Sequence, residues 1–218
     1  LVFPEPLVPR RRRVEVAERV HYDGTIEQTL DLDAARATLA DLVRREGITS
    51  LAICLLHGYA NPDHERALGD MAAATFPDLN ISLSSEVCPE WREYERFTTT
   101  CINAFTQPMF DQYLRRLESG LNDLGFAGQL FVMSSSGGTL TPETARKFPA
   151  RVIESGPAAG AQMSAFHGRA LKRPELLSFD MGGTTAKGAL IRGGEAIKVY
   201  FQEVARVHDF KAGSGLPV

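Results

Sequence analysis

The sequence is short of cysteine, of long apolar runs and of any strong excess of one charge, and each shortage excludes a class of protein. Its 3 cysteines in 218 residues, Cys54, Cys88 and Cys101, lie far apart without C-x-x-C spacing. That argues against a zinc knuckle or a disulfide framework and predicts reduced thiols in a cytoplasmic setting. The apolar stretch Ile48 to Leu56 is interrupted by Thr49 and Ser50 and falls well short of a membrane span; no secretory leader pattern is visible. Net charge is −3. The one basic run, Arg10 to Arg13, has no interleaved aromatics, which predicts a solvated face and no nucleic-acid partner. A G-K-[ST] phosphate loop is also missing.

What is present is the composition of a globular chain, 44% hydrophobic and 23% charged, with alternating elements along it. Val14 to Leu30 carries two β-prone runs about Asp23-Gly24, a pair suited to a hairpin turn. From Asp33 to Glu46 the residues Ala35, Leu39, Leu42 and Val43 fall on one helical face that Gly47 can end. "ITSLAICLL" reads as a buried strand. Asn61 and Pro62 then start a helix to about Phe76, and "LNISLS" is a second strand, so a parallel crossover is expected. Tyr94 to about Leu124 reads as a long helix, with Phe97, Cys101, Phe105, Leu114, Leu117, Leu121 and Leu124 inward and a kink at Pro108. "QLFVMS" follows as another strand.

Small-residue segments come next. "SSSGGTL" (Ser134 to Leu140) is expected beyond the carboxyl end of a strand, where open α/β sheets bind ligands; it is either a plain loop or a site lining, with Ser135, Gly137 and Gly138 as candidates. "ESGPAAGA" (Glu154 to Ala161) opens a helix, and close packing is the favoured reading of its small residues over ligand contact by Ser155 and Gly156. "LLSFDMGGTTAKGALI" (Leu176 to Ile191) is then an acidic residue at the end of a buried strand, a small-residue turn and a second strand, without the following helix that a Rossmann turn requires. Either it is an ordinary hairpin or it clamps a phosphate. In the second case Gly182 and Gly183 let backbone N–H groups approach, Thr184 and Thr185 add hydroxyls, Lys187 adds charge, and Asp180 holds Mg²⁺ through water or orients an attacking water.

Two other clusters carry weaker signals. His57, His64 and Glu65 match no ligand motif, and capping or packing is expected of them. Tyr94, Glu95 and Arg96 are expected to form an ion-pair network at a helix start.

"FDMGGTT" resembles the second phosphate loop of the actin, sugar-kinase and heat-shock-chaperone ATPase fold, and "SGPAAGA" lies where that fold has its connecting helix. Within that superfamily, "LVPRRRRVEVAERV", "LLHGYANPDHERAL", "SSEVCPEWREYERFTTTCINAF", "VMSSSGGTL", "SFDMGGTTAK" and "FKAGSGLPV" are similar to successive segments of the hydantoinase A/5-oxoprolinase family. The resemblance implies an α/β chain of partial actin-like (ribonuclease H-like) fold. Residues 1–150 would be the rest of a first lobe, 151–175 the connecting helix and 176–218 the start of a second lobe with the phosphate-binding hairpin. It further implies ATP-dependent opening of a five-membered cyclic amide by phosphorylation of a ring carbonyl, with a hydantoinase B-type partner subunit. A ketone carboxylase subunit of the same family, or a nucleotide-responsive scaffold, is the alternative.

By the same resemblance, Asp180, Gly182, Gly183, Thr184 and Thr185 take the phosphate-loop role, while many members have aspartate at the position of Lys187. The chain opens at Leu1 without methionine and lacks the family's N-terminal aspartate-glycine-threonine turn and its adenosine segment. It is therefore expected to be a piece of a longer polypeptide carrying half a nucleotide site.

Overall fold

The structure is a computed structural model that describes residues 6–183, 186–198, 203–204 and 215–217. It divides into two compact units, one of residues 1–109 with 201–218 and the other of residues 110–200.

In the first unit, β1 (Arg19–Val20) and β2 (Ile26–Gln28) form the expected antiparallel hairpin. Gly24 takes φ +84° at its turn, a conformation open to glycine at no steric cost. Asp23 accepts hydrogen bonds from the Thr25 hydroxyl (2.7 Å) and backbone N–H (3.0 Å), which hold its carboxyl below the usual range. α1 (Leu32–Glu46) starts where Asp31 accepts from the N–H groups of Asp33 and Ala34 and ends at Gly47, with φ 58°. The arginine run forms a turn over the end of this helix, where Arg12 and Arg11 reach Glu46 at 2.9 and 3.2 Å.

β3 (Ser50–Ile53), α2 (Asp63–Thr75) and β4 (Asn80–Leu83) make the predicted crossover. β3 and β4 pair in parallel from Ser50 opposite Asn80 to Ile53 opposite Leu83. Ala35, Leu39 and Leu42 from α1 join Ile53, Leu68, Met71 and Ala72 as the core of this unit. Asn61 ties helix to hairpin, accepting from Asp63 N–H and donating to the Gly24 carbonyl, both at 3.0 Å.

A short helix, α3 (Ser84–Val87), leads to α4 (Glu93–Asp123), which runs through Pro108 and within which the two units divide. Its expected inward set holds at Leu114, which is buried, and fails at Phe105 and Leu124, which are 71% and 85% exposed. At Phe105 the reason is that the fully buried residues in the first half of α4 are polar. Arg96, Thr100 and Asn103 are fully buried, at the i, i+4, i+7 spacing of one helical face. That face is offset by one position from Phe97 and Cys101 and by two from Phe105.

In the second unit, β5 (Val132–Met133) pairs antiparallel with β6 (Thr139–Leu140). "SSSGG" is therefore a hairpin loop, and not the expected loop beyond a strand of an open parallel sheet. Two two-residue strands so close in sequence close most cheaply on each other. α5 (Pro142–Lys147) is capped by Thr141, and its Arg146 ion-pairs with Glu118, with Asp111 at 3.6 Å and with Glu143 at 3.5 Å.

α6 (Ser155–Ala170) packs through Ala161, Ala165 and Gly168 on a sheet of β7 (Leu176–Met181), β8 (Ala186–Arg192) and β9 (Glu195–Ala196). A Cβ at Gly168 would lie 2.6 Å from Leu176 Cδ1 and 2.8 Å from the Arg173 carbonyl, so this glycine permits the close approach of helix and sheet. β7 is not the buried strand expected. α6 covers one face only, and on the other Leu177, Phe179 and Met181 are 67%, 66% and 74% exposed. In the first unit a further antiparallel pair joins Glu203–Val204 to Leu216–Pro217.

Candidate functional site

Antiparallel pairing of β7 with β8 sets Asp180 directly opposite Lys187, and directly opposed residues share one face of a sheet. That face is the one toward α6. Leu176 lies against Gly168, and Ser178 accepts a 3.0 Å hydrogen bond from Ser164. Asp180, two residues further on, thus continues toward the amino-terminal turns of α6. It is exposed, and among the described residues its carboxylate makes no side-chain hydrogen bond or ion pair.

Gly183, at the tip of the hairpin, has nothing within 4 Å of an added Cβ. Thr184 and Thr185 lie outside the described residues. Gly156 and Gly160, in the first turns of α6, also border open space. Close packing, the favoured reading of "SGPAAGA", is seen at its last residue, Ala161, which is buried, and the glycine of this helix closely approached by the sheet is Gly168. Small residues at the start of α6 leave room beside the hairpin.

Lys187 does not point into that space alone. Its Nζ donates to a carboxylate oxygen of Glu154, the residue preceding α6. Glu154 adopts φ 64°, ψ 22°, and its side chain does not cap its own helix. A non-glycine residue in the left-handed region is uncommon and marks a place where the surroundings hold the backbone.

The Ser134–Gly138 loop docks on the segment just before Glu154. The Ser135 backbone N–H donates to the Arg151 carbonyl at 2.8 Å, and its hydroxyl donates to the carbonyls of Arg151 and Ile153. Within the loop, Gly138 N–H donates to Ser134 Oγ at 3.2 Å. Gly137 has φ +85°, and a Cβ there would fall 2.5 Å from Gln162 Nε2 on α6. The structure thus brings Ser135, Gly137, Gly138, Ser155, Lys187 and Asp180 into one connected region. Ser135 enters it through backbone-anchoring hydrogen bonds, with its hydroxyl already engaged.

Sequence reasoning missed a second polar cluster, at the carboxyl ends of β3 and β4. Glu65, with no exposed surface, accepts from Leu55 N–H (2.8 Å), Ser84 Oγ (2.6 Å) and Ser85 N–H (2.8 Å). Arg96, equally buried, donates to Ser84 Oγ (3.2 Å), the Glu90 carbonyl (2.6 Å) and the Leu55 carbonyl (3.1 Å). Its guanidinium lies over the rings of Tyr59 and Phe97 at 5.3 and 5.1 Å. Asn103 reaches Ser82 at 3.0 Å.

These bonds pin the chain after β3 to the chain after β4. The expected Tyr94-Glu95-Arg96 network is not formed, since Tyr94 is exposed and Glu95 pairs with Arg92 at 3.5 Å. The polar run Arg96, Thr100, Asn103 at helical spacing was the available signal. His64 pairs with Glu18 at 2.8 Å, the packing role expected of it. His57, with φ 57°, places its ring Nδ1 3.4 Å from the Tyr59 hydroxyl.

Cys54 and Cys101, 47 positions apart in sequence, are free thiols whose ionisation is linked. The neighbouring Cys101 thiol, and then burial, push Cys54 well up, whereas the interaction with Cys54 lowers Cys101.

No helix among the described residues is long and apolar enough to cross a membrane. Nor is there among them a group of three or more His, Cys, Asp or Glu able to hold a metal. The described part of the hairpin presents one carboxylate, Asp180, and a Mg²⁺ carried by ATP takes most of its ligands from phosphate and water, so such a pair is compatible with the residues present.

An α/β chain with an acidic strand-turn-strand beside the start of a helix is part of an actin-like ATPase fold, and solved structures bear this out. An acetone carboxylase solved without nucleotide superposes with a TM-score of 0.78 at 30% identity, over 89% of this chain and 28% of that one. The ATP-dependent caprolactamase of Pseudomonas jessenii gives 0.78 at 30% identity, over 86% and 27%. The hydantoinase/oxoprolinase family model matches residues 96–211 and the model of its N-terminal region matches residues 1–76. The chain belongs to the hydantoinase/oxoprolinase family. An uncharacterized protein of Methanocaldococcus jannaschii is 37% identical over 99% of the chain. The chain spans about a third or less of these relatives, 32% of the archaeal protein and 27% of the caprolactamase alpha subunit.

Proposed function

We propose that this chain is part of an ATP-dependent enzyme that opens a five-membered cyclic amide, a hydantoin or 5-oxoproline. The observation that carries the reading is the Asp180–Lys187 pair across a glycine-tipped hairpin, beside the open first turns of α6. Gly182, Gly183, Thr184, Thr185 and Lys187 would hold the phosphates by backbone N–H, hydroxyl and charge, and Asp180 would hold Mg²⁺ through water or orient the attacking water. ATP, when bound, supplies a phosphoryl group that turns a ring carbonyl oxygen into a leaving group. Substrate would lie near Ser135, Gly137, Gly138, Ser155 and Gly156.

Residues 1–150 would complete a first lobe, 151–175 connect it to a second, and 176–218 begin that second lobe. A hydantoinase B-type subunit would complete the enzyme, in the cytoplasm. The subunit designation of the matching caprolactamase chain supports a partner. The second reading is a ketone carboxylase subunit, favoured by the similarity to acetone carboxylase.

The test is ATP hydrolysis by the full-length protein with its partner subunit, given hydantoin, N-methylhydantoin, 5-oxoproline, or acetophenone with bicarbonate. Stimulation by a cyclic amide is expected; stimulation by the ketone alone would move the assignment to the carboxylase. Asp180→Asn should lower the stimulated rate by roughly 10²- to 10³-fold, the effect of removing a preorganised charge at a reacting centre. Wild-type stimulated rates in that variant would remove Asp180 from the reacting centre, whereas ATP binding without stimulation by any of these compounds would identify a nucleotide-responsive scaffold.

A further inference from the structure

Lys187 serves two masters in this fold, and Glu154 is the one not explained by the phosphate hairpin. Its carboxylate is at a helix start, where a side chain ordinarily accepts from the N–H groups of its own first turn. Here it makes no such bond and instead reaches across to Lys187. Its backbone sits at φ 64°, in the left-handed region uncommon for a residue with a side chain. The ion pair is about one-third exposed on both sides, with side-chain exposures of 36% and 35%, so it can exchange partners without opening a core.

Charge counting sharpens the point. Asp180, Glu154 and Lys187 together carry one net negative charge when ionised. A phosphate approaching the hairpin is repelled until the ammonium is released to it or a cation accompanies it. Three donors on one ammonium with no acceptor make Lys187 the group both anions compete for.

We infer that the Glu154–Lys187 ion pair is a latch on the phosphate hairpin: Glu154 and a nucleotide phosphate compete for the Lys187 ammonium, and phosphate binding frees the residue that starts α6. The consequence reaches the Ser134–Gly138 loop, because Ser135 is hydrogen-bonded to the carbonyl of Ile153, immediately before Glu154. Exchange at Lys187 is thereby coupled to the loop proposed to line the substrate. The latch rests on the phosphate reading of the hairpin and adds to it a residue, Glu154, whose charge opposes nucleotide binding.

The experiment measures ATP affinity by calorimetry on the full-length protein and on its Glu154→Gln, Lys187→Met and doubly substituted forms, each checked for a cooperative melt. Glu154→Gln should tighten ATP binding by roughly two- to fivefold, the size of a solvent-exposed ion pair expressed as affinity. It should leave adenosine binding unchanged and have no effect in the Lys187→Met background. Equal effects in both backgrounds, or weaker binding in Glu154→Gln, would overturn the latch while leaving the phosphate site intact. Failure of the unsubstituted protein to bind ATP would overturn both.

Discussion

Arg96 shows how much one side chain organises. Its five N–H donors close a network from Leu55 to Ser84 and Glu90, and Ser84 stands between it and the Glu65 carboxylate. A buried ion pair bridged and satisfied in this way contributes little net stability, but removing one partner strands the other charge. Arg96→Met is therefore expected to destabilise the protein by about 3–5 kcal/mol in denaturant unfolding. The Glu65→Gln/Arg96→Met pair should cost less than the sum of its single changes. Little of this was legible, since Arg96 and Glu65 stand 31 positions apart and only the fold makes them neighbours. In the candidate site, Asp180 was legible from its setting at a strand end, but its register with Lys187 follows from hairpin pairing, and Glu154 carries no local signal at all.

At the scale of elements, local chemistry was a reliable guide where it was itself the cause of the structure. Asp31 and Gly47 bound α1 because a carboxylate can accept the orphan N–H groups and a glycine can turn left-handed. Gly47→Ala should cost about 1 kcal/mol, measured as a lowered midpoint of thermal unfolding, because φ 58° is strained for a residue with a Cβ; nothing crowds that position, so the cost is conformational. Asparagine there should be tolerated better. The same local logic placed the Asp23-Gly24 hairpin, the β3–α2–β4 crossover and the turn between β7 and β8. It failed for "SSSGG", whose glycines and serines suit a hairpin as well as a ligand loop. It failed again along α4, where hydrophobicity selected Phe105 but hydrogen bonding had set the buried face.

Over the whole chain, the uncovered surface of the three-stranded sheet is the feature that most constrains behaviour in solution. Leu177, Phe179 and Met181 from β7, with Leu190 from β8, are all at least half exposed, and contiguous apolar surface of this kind marks a contact site or an aggregation liability. The 218-residue chain expressed alone is expected to bind a hydrophobic fluorescent dye. Leu177→Thr and Phe179→Thr together should reduce that signal without loss of secondary structure, as followed by circular dichroism. Unchanged dye binding would place the apolar surface elsewhere.

Sequence by itself determined the alternation of strands and helices, the caps, the hairpin turns and the order of the family's segments, because each depends on neighbours within a few residues. Tertiary structure alone decided which face of α4 is buried, that Glu65 and Arg96 meet through Ser84, and that Lys187 is held by Glu154. Each of those unites residues distant along the chain, and burial and charge pairing act through space.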